Sequence, residues 1–432
     1  MNKRFFIKLT ILTLLSSPLL ALDPRPNIIL CMTDDQGWTD VSYNEKGRLA
    51  KTDFNNFKTV EIDKMAAAGL RFDRFYAAAP VCSPTRASCL TGRHPFRYGV
   101  TAPGKPLKLE EKSIAQALSK AGYKTGHFGK WHLNGVSGPG KIITQEDPLN
   151  PSAFGFQNWF SVSNFFEANW TFSRNGTPVP TQGDGSDVIV AEAIQWIDSL
   201  PAAESAQPFF AVIWFGNPHT PHKPLPDDLQ KAGGDPELGE IAGIDRAMGT
   251  LRNALRKRGI ADNTMLWFNS DNGRPKTNTP LKGGKGGIEE GGIRVPGICE
   301  WPARIKPGRT DFPVVTSDFY PTILEAAGIQ TPQDKPLPLD GISLLPLFSG
   351  KMTERPKPIG FTIGTESALS DNRYKLVFGK DGKHLYDLTN DLSETHDLAA
   401  EKPEIVNQMS KVLDEWVDSV QKSKTGADYT KP

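Results

Sequence analysis

A short cysteine-containing segment combines a nucleophilic side chain with a nearby cation. Residues 82–86 read Cys-Ser-Pro-Thr-Arg. The proline suits the first turn of a helix and Gly92 suits its end, so we predict a helix with Ser83 as its N-cap and Cys82 just before it. A helix N-terminus attracts anions, whereas Arg86 in the first turn opposes the helix dipole and therefore indicates function. We expect this helix end to face an oxyanion.

Two pairs of oxygen-bearing side chains follow apolar, strand-like runs. Asp34 and Asp35 come after the run 27–32, and Asp271 and Asn272 come after a second such run. Adjacent carboxylates repel one another unless a cation neutralises them, and hard oxygen ligands select Ca²⁺ or Mg²⁺ over zinc. Either pair alone is also typical of a solvated turn. The prediction of a metal site therefore depends on the two pairs lying together.

Lysines and histidines occur in three further motifs. These are Gly-Lys-Trp-His-Leu at 129–133, Pro-His-Thr-Pro-His-Lys-Pro at 218–224 and Leu-Lys-Gly-Gly-Lys-Gly at 281–286. An isolated lysine is nearly always a solvated surface residue. Brought together, such cations would neutralise an anionic ester so that a nucleophile can approach it.

The elements that must position these motifs alternate between strand and helix. We predict buried strands over 27–32, 208–215 and 264–269, and helices over 60–69, 113–122, 187–200 and 241–259. This order indicates an α/β fold with a large, mostly parallel sheet sandwiched by helices. Ligands bind at the carboxyl ends of the strands in such sheets, which is where the motifs fall. The glycine-rich stretch 283–292 is predicted to be a loop that approaches the ligand closely.

A proline-rich stretch, 332–338, predicts a domain boundary. We expect a catalytic α/β domain over residues 22–335 and a smaller C-terminal domain over residues 336–432. Hairpin character within 374–388 and an amphipathic helix at 404–420 indicate that the smaller domain holds antiparallel strands and a closing helix.

Residues 1–21 have the pattern of a secretory signal peptide, with a basic start, an apolar run and a small residue at the end. Three of the 50 Lys and Arg residues lie in it, so 47 basic residues remain against 49 acidic ones. This near-neutral balance argues against nucleic acid or a membrane surface as a partner. No second apolar run of membrane-spanning length follows, so we expect a soluble periplasmic or secreted protein.

Four cysteines are too few for a disulfide framework in a chain of 432 residues. Cys31 lies in an apolar run and is predicted to be a core residue. Cys89 falls two helical turns after Cys82, so we expect it to pack behind the site.

The cysteine segment, together with Leu-Thr-Gly-Arg at 90–93, resembles the signature of the type I sulfatases of the alkaline phosphatase superfamily. In that family the cysteine is oxidised after translation to formylglycine. The resemblance implies that a maturation enzyme converts Cys82 to an aldehyde, and that a hydroxyl of its hydrated form attacks sulfur. It also implies one bound Ca²⁺ that polarises a sulfate oxygen. The ligands implied for this ion are Asp34, Asp35, Cys82, Asp271 and Asn272.

The resemblance also implies roles for the remaining motif residues. Lys130 and Lys285 are expected to hold sulfate with Arg86, His132 to bond a formylglycine hydroxyl and assist sulfate release, and Asp271 to act as the base. In the 218–224 motif two histidines compete for one role. We favour His222, which precedes x-Pro, as the sulfate-binding histidine and proton donor, with His219 as the alternative.

The function implied is hydrolysis of sulfate esters. A secreted location favours a sulfated polysaccharide or its oligosaccharides as substrate, and the aromatic side chains of 159–172 are candidates for a sugar cleft, although aromatic clusters more often form core. The closest alternative is a phosphonate or phosphate ester hydrolase of the same superfamily. Two others are a thiol hydrolase, in which Cys82 stays a thiol, and a carbohydrate-binding protein that has lost catalysis.

Overall fold

The computed structural model describes residues 25–47, 49, 57–200, 207–276, 280–330 and 337–429. The predicted signal peptide, and the predicted domain boundary between residues 335 and 336, lie outside them. None of the helices in these ranges has an apolar stretch long enough to cross a bilayer.

Seventeen strands occur in the described ranges. In chain order they are β1 (Asn27–Thr33), β2 (Leu70–Phe72), β3 (Phe75–Tyr76), β4 (Lys124–Lys130), β5 (Asn158–Val162), β6 (Thr171–Arg174), β7 (Thr177–Pro180), β8 (Phe209–Trp214), β9 (Thr264–Ser270), β10 (Arg294–Val295), β11 (Gly297–Glu300), β12 (Gly308–Thr310), β13 (Val314–Val315), β14 (Ile359–Ile363), β15 (Glu366–Ser370), β16 (Tyr374–Gly379) and β17 (Gly382–Asp387).

Ten α-helices accompany these strands in the same ranges. They are α1 (Val60–Ala68), α2 (Cys82–Thr91), α3 (Ile114–Lys120), α4 (Gly185–Ser199), α5 (Pro226–Lys231), α6 (Pro236–Lys257), α7 (Glu290–Ile293), α8 (Phe319–Ala326), α9 (Leu345–Phe348) and α10 (Pro403–Lys424).

The main sheet has ten strands in the order β12-β2-β11-β9-β1-β8-β4-β5-β6-β7. Its five central strands, from β9 to β5, are all parallel, while β11, β6 and β7 join antiparallel. The predicted large, mostly parallel sheet is therefore confirmed. The antiparallel strands toward the edges are the part that the alternation of elements did not predict.

Strand β1 shows why helices cover both faces of this sheet. Ile28 and Leu30 lie in one hydrophobic core, whereas Ile29 and Cys31 lie in a second core on the opposite face. Successive side chains of a strand point to opposite faces, so an uninterrupted apolar run requires two apolar surroundings. Helices α2, α3 and α8 supply the first core, and α1, α4 and α6 supply the second.

The register of the central strands brings their polar ends together. Ile29 of β1 is paired with Ala211 of β8 and with Leu266 of β9, and Thr33 is paired with Ser270. Because the strands are parallel and in step, the residues that follow each of them emerge at the same edge of the sheet.

Helix α2 begins and ends near the predicted residues. Gly92 ends it in a left-handed conformation, with φ 70°, and a Cβ there would lie 2.7 Å from the Cβ of Tyr320. The predicted N-cap is wrong, because Val81 occupies that position and Cys82 is the first helical residue. The Ser83 hydroxyl instead accepts a hydrogen bond from the Gly104 N–H at 2.8 Å.

The chain after residue 336 forms a second, smaller sheet. Strands β14, β15, β16 and β17 pair antiparallel in sequence order, which confirms the predicted hairpin, and α10 packs on this sheet as the closing helix. A fully buried ion pair, Arg355 with Asp318 at 2.7 Å, joins this part of the chain to the segment before α8.

Three further predictions concern the start of a helix, the glycine-rich loop and the cysteines. Helix α6 begins at Pro236, five residues before the predicted start, because Asp235 caps it and proline suits its first turn. The predicted loop 283–292 runs into the short helix α7. All four cysteines are free and buried, and both Cys31 and Cys89 lie in hydrophobic cores, as predicted.

Candidate active site

The ends of three parallel strands and the start of α2 bring the motif residues together. Asp34 and Asp35 follow β1, Asp271 and Asn272 follow β9, and Lys130 ends β4. Backbone bonds hold these ends in step, because the Asp271 N–H donates to the Thr33 carbonyl at 3.1 Å and the Asp34 N–H donates to the Asn217 carbonyl at 3.0 Å. We call the group formed by Asp34, Asp35, Cys82, Arg86, Lys130, Asp271, Asn272 and Lys285 the strand-edge cluster.

Two lysines neutralise two of its carboxylates. Lys130 Nζ lies 2.6 Å from Asp34 Oδ2, and Lys285 Nζ lies 2.5 Å from Asp35 Oδ1. Lys130 and Asp34 are fully buried, whereas Lys285 retains 18% of its side-chain exposure. The positive charges that an anionic substrate requires are therefore already at this edge of the sheet.

Arg86 projects from the second turn of α2 into the cluster. Its Nη2 donates to Asp271 Oδ2 at 2.7 Å, and its guanidinium lies 5.2 Å from the ring centroid of Trp214. The side chain is fully buried, and its Nε and Nη1 have no hydrogen-bond partner among the described residues. A buried donor without a partner is costly, so these two N–H groups are available to a bound anion.

Backbone conformation aims two of the side chains. Asp35 and His132 both have positive φ, 69° and 54°, which is uncommon for residues other than glycine and is frequent at functional sites. Gly129 precedes this bend with φ 99°, and a Cβ there would lie 2.0 Å from the Trp214 carbonyl oxygen. Only glycine therefore lets β4 approach β8 closely where Lys130 leaves the sheet.

The cluster fits a hard metal ion. Ligand atoms of Asp34, Cys82 and Asp271 lie within 4.8 Å of one another. Asp34 Oδ1 and Asn272 Oδ1 are buried and accept no hydrogen bond from the described residues. Buried oxygens without donors, set among three carboxylates, are the surroundings that Ca²⁺ or Mg²⁺ requires. Asn272 also donates from Nδ2 to Asp35 Oδ1 at 2.7 Å, which directs its own Oδ1 away from that carboxylate.

Burial and charge set the protonation of these groups. Burial by itself raises the pKa of Asp34, but Lys130, His219 and Arg86 hold it below its ordinary value. Burial raises the pKa of Asp271, and the neighbouring charge of Asp34 raises it further. Burial also raises the pKa of the Cys82 thiol to about 12. An unmodified Cys82 is therefore a poor thiolate nucleophile at neutral pH.

The structure places His219, rather than His222, beside the carboxylates. His219 Nε2 lies 3.8 Å from Asp35 Oδ2. Its Nδ1 lies 2.5 Å from the Thr220 carbonyl oxygen, which only accepts, so Nδ1 carries a hydrogen and Nε2 faces the cluster. His222 instead lines a cavity of about 660 Å³, together with Arg274 and Glu237. No hydrogen bond or ion pair joins it to the described residues of the cluster. The two histidines are three positions apart, with Thr220 and Pro221 between them.

His132 lies beside the cluster as well. It is 3% exposed, and its Nδ1 has no hydrogen-bond partner among the described residues. Burial, followed by the charge of Lys130, lowers its pKa well below the ordinary value, so the ring is neutral at physiological pH. A neutral imidazole can accept a hydrogen bond from a hydroxyl through one ring nitrogen and donate one through the other.

The aromatic segment is mainly core. Four of its side chains are no more than 2% exposed, which supports a role in the hydrophobic core rather than in a sugar cleft: Trp159, Phe160, Phe166 and Phe172. Phe165 and Trp170 are half-buried. Trp170 packs against a hydrophobic core, whereas the ring of Phe165 stacks on His219 with centroids 4.6 Å apart.

One supporting residue had no sequence signal. Glu240 of α6 accepts hydrogen bonds from the Asn217 side chain and from the Lys223 N–H, so it joins the two ends of the loop that carries His219. A glutamate in an amphipathic helix is ordinarily solvated, and its sequence neighbours do not distinguish this one.

The comparisons with known proteins agree with this geometry. The Sulfatase family model matches residues 26–329, and the model for the C-terminal part of N-sulphoglucosamine sulphohydrolase matches residues 285–422. The chain belongs to the sulfatase family, and its fold is that of the alkaline phosphatase-like sulfatases.

Relatives cover most of the chain. N-acetylgalactosamine-6-sulfatase of Canis lupus familiaris is 30% identical over an alignment that covers 77% of this chain and 67% of that protein. Human arylsulfatase A is 29% identical, covering 91% and 83% of the two chains. The crystal structure of Ps i-CgsB in complex with k-i-k-neocarrahexaose superposes with a TM-score of 0.81 at 26% identity, covering 94% and 97%. The protein is therefore a sulfuric ester hydrolase.

Proposed function

We propose that the protein removes sulfate from a sulfated carbohydrate, using formylglycine generated from Cys82 and one Ca²⁺ held at the strand-edge cluster. The observation that carries this proposal is the combination, at one strand edge, of a cysteine at a helix N-terminus, three carboxylates, and cations with free N–H groups. When present, formylglycine supplies a nucleophilic hydroxyl and Ca²⁺ polarises a sulfate oxygen.

The protein side chains have the remaining tasks. Arg86, Lys130 and Lys285 neutralise the sulfate, because an ester that carries a negative charge repels nucleophiles. The proposed metal ligands are Asp34, Asp35, Asp271, Asn272 and residue 82. Asp271 is also the proposed base, because its carboxylate lies within 4.8 Å of Cys82 Sγ. His132, with its free Nδ1, is proposed to bond the hydroxyls at position 82 and to assist sulfate release.

We assign the proton-donor role to His219, the alternative in the sequence prediction. Its Nε2 faces Asp35, whereas no hydrogen bond or ion pair joins His222 to the described residues of the cluster. A proton donor at this position would serve the alkoxide of a departing sugar, which is a strong base. The stacked ring of Phe165 restricts the orientation of the imidazole.

The cavity that contains His222 is the candidate site for the sugar. This cavity is connected to the cluster through Arg274, which lines it. Arg274 follows Asn272 by two residues, and the Arg274 carbonyl accepts a hydrogen bond from the Lys285 N–H at 2.9 Å. A volume of about 660 Å³ is typical of small-molecule sites. The sugar sulfatase and the oligosaccharide complex among the similar proteins support a carbohydrate substrate. A maturation enzyme is the proposed partner, and the signal-like N-terminus supports a periplasmic or secreted location.

Mass analysis of the Cys82 peptide, together with a desulfation assay, tests this function. Protein made in a host with a maturation system should carry an aldehyde at residue 82 and should release sulfate from a panel of sulfated oligosaccharides. Full activity with only the thiol present would contradict the proposal and favour a thiol hydrolase. Preference for phosphonate or phosphate esters over the matched sulfate esters would support the alternative hydrolase.

A further inference from the structure

A second cluster of buried charges joins the small sheet to the loop that carries Lys285. Lys375 of β16 lies 3.0 Å from Glu290 Oε1 and 2.8 Å from Glu394 Oε1, and all three side chains are fully buried. Glu394 Oε2 also accepts the Glu290 N–H at 2.8 Å. Arg294 Nε and the Tyr76 hydroxyl bond the other oxygen of Glu290, at 2.5 and 3.1 Å. We call these five residues the Lys375 cluster.

Glu290 lies at the end of the loop that carries Lys285. The Gly291 N–H donates to the Lys282 carbonyl at 2.7 Å, so the residues next to Glu290 close the loop onto its own beginning. Lys285 lies between these two points. The beginning of the loop also contacts the small sheet, because Lys282 Nζ lies 3.3 Å from the Tyr386 hydroxyl of β17. Both ends of the loop are therefore held by side chains from β16 and β17.

We propose that Lys375 is a positioning residue for Lys285. It does not touch the strand-edge cluster, but it fixes Glu290 by charge and thereby fixes the end of the loop that presents Lys285 to the sulfate. The inference rests on the proposed role of Lys285 and adds a residue from outside the α/β core to that function. Glu394 has φ 53°, and the cluster maintains this uncommon conformation through the Glu290 N–H on one carboxylate oxygen and the charge of Lys375 beside the other.

The physical reason is the cost of an unpaired buried charge. Without Lys375, two buried carboxylates would lie close together with less compensating charge, and the surrounding backbone would move to let water reach them. Glu290 is part of the loop backbone, so that movement displaces Lys285. Removing a partner that orients a metal ligand typically costs about 10- to 100-fold in activity, and we expect a loss of the same size when Lys285 loses its support.

A double-mutant cycle tests the proposal on the matured, full-length protein. Lys375→Met should lower kcat/KM for a sulfate ester by about 10- to 100-fold. Lys285→Ala should lower it more, and the double variant Lys285→Ala/Lys375→Met should be no worse than Lys285→Ala alone, because Lys375 acts through Lys285. Losses that multiply in the double variant, or wild-type kcat/KM in folded Lys375→Met, would overturn the inference.

Two further variants complete the experiment. Arg355→Met breaks an equally buried ion pair between the same two parts of the chain, but away from the loop, so it should lower Tm and leave kcat/KM of the folded protein unchanged. Equal losses of kcat/KM in Arg355→Met and Lys375→Met would show a structural role only. If Lys375→Met does not fold, Lys375→Met/Glu394→Gln removes one charge of each sign and should show the same loss of kcat/KM. Normal kcat/KM in Lys285→Ala would instead contradict the proposed function itself.

Discussion

The strand-edge cluster and the Lys375 cluster are both groups of buried charges, yet their polar atoms are satisfied differently. In the strand-edge cluster, Asp34 Oδ1, Asn272 Oδ1 and two nitrogens of Arg86 have no hydrogen-bond partner among the described residues. In the Lys375 cluster, three of the four carboxylate oxygens of Glu290 and Glu394 accept hydrogen bonds, and the fourth, Glu394 Oε1, accepts none from the described residues but lies 2.8 Å from the charged Lys375 Nζ. Buried groups without partners are costly, so a protein retains them where a ligand completes them. The first cluster is therefore arranged to bind and react, and the second to hold position.

The largest expected effect on activity comes from the nucleophile of the strand-edge cluster. Cys82→Ala should reduce turnover by about 10⁴-fold or more, because the nucleophile is lost, while the free energy of unfolding changes by about 1 kcal/mol. Steady-state kinetics and urea unfolding on the same preparation measure both. Cys89→Ala is the matched control, since this second buried cysteine of α2 lies in the hydrophobic core. It should change stability and leave turnover intact. The comparison fails if Cys82→Ala unfolds the protein and Cys89→Ala does not.

His219→Ala should lower turnover of a sugar sulfate by about 10²-fold or more, because the basic alkoxide needs a proton when it departs. The loss on an activated aryl sulfate should be much smaller, since that leaving group departs unprotonated. His222→Ala, the control from the same loop, should affect the aryl sulfate little and should change mainly KM for the sugar. A leaving-group-dependent loss in His222→Ala, with none in His219→Ala, would return the role to His222.

The next prediction is that Ca²⁺ binds at the buried oxygens that have no hydrogen-bond partner among the described residues, Asp34 Oδ1 and Asn272 Oδ1. Chelation should abolish activity, and Ca²⁺ should restore it better than Zn²⁺, because all the proposed side-chain ligands except Cys82 are hard oxygens. Asn272→Ala should weaken Ca²⁺ binding on the order of ten-fold or more, measured by calorimetry on chelator-treated protein. Asn44→Ala, a buried asparagine that bonds the Trp38 carbonyl outside the cluster, should bind Ca²⁺ normally. Unchanged affinity in Asn272→Ala would remove it from the ligand set.

The smallest effect concerns the buried carboxylate of Glu240, which forms no ion pair with the described residues. Burial raises the pKa of Glu240 to about 7, from an ordinary value of 4.5. Between these values the folded protein holds a proton that the unfolded chain has lost, so the free energy of unfolding should fall as pH rises from 4.5 to 7. The contribution is on the order of 2 kcal/mol. Glu240→Gln should remove this slope in urea unfolding at pH 5 and pH 8. A slope that persists unchanged would show that Glu240 is charged and compensated.

Much of the fold was predictable because its signals are local. The apolar runs of β1, β8 and β9 indicated buried parallel strands, and capping residues placed α3 and the end of α2 to within a few residues. The antiparallel strands toward the sheet edges were not predicted, and the predicted N-cap of α2, Ser83, was wrong. Strand direction depends on which neighbouring strand is available for pairing. Val81 takes the cap position with an extended backbone and no side-chain hydrogen bond, so no capping side chain marks this position in the sequence.

Residue types and spacing alone identify the groups with the chemistry, namely the Cys82 segment, the two oxygen-bearing pairs and the lysine motifs, and with them the family. The folded chain shows which of two neighbouring histidines faces the carboxylates, that Phe165 and Glu240 support that histidine, and that Lys375 reaches Glu290 from 85 positions along the chain. The physical reason is that residue type and spacing specify what a side chain can do, whereas its partners depend on how distant segments pack. Burial and charge, which set the protonation and orientation of these groups, exist only after that packing is complete.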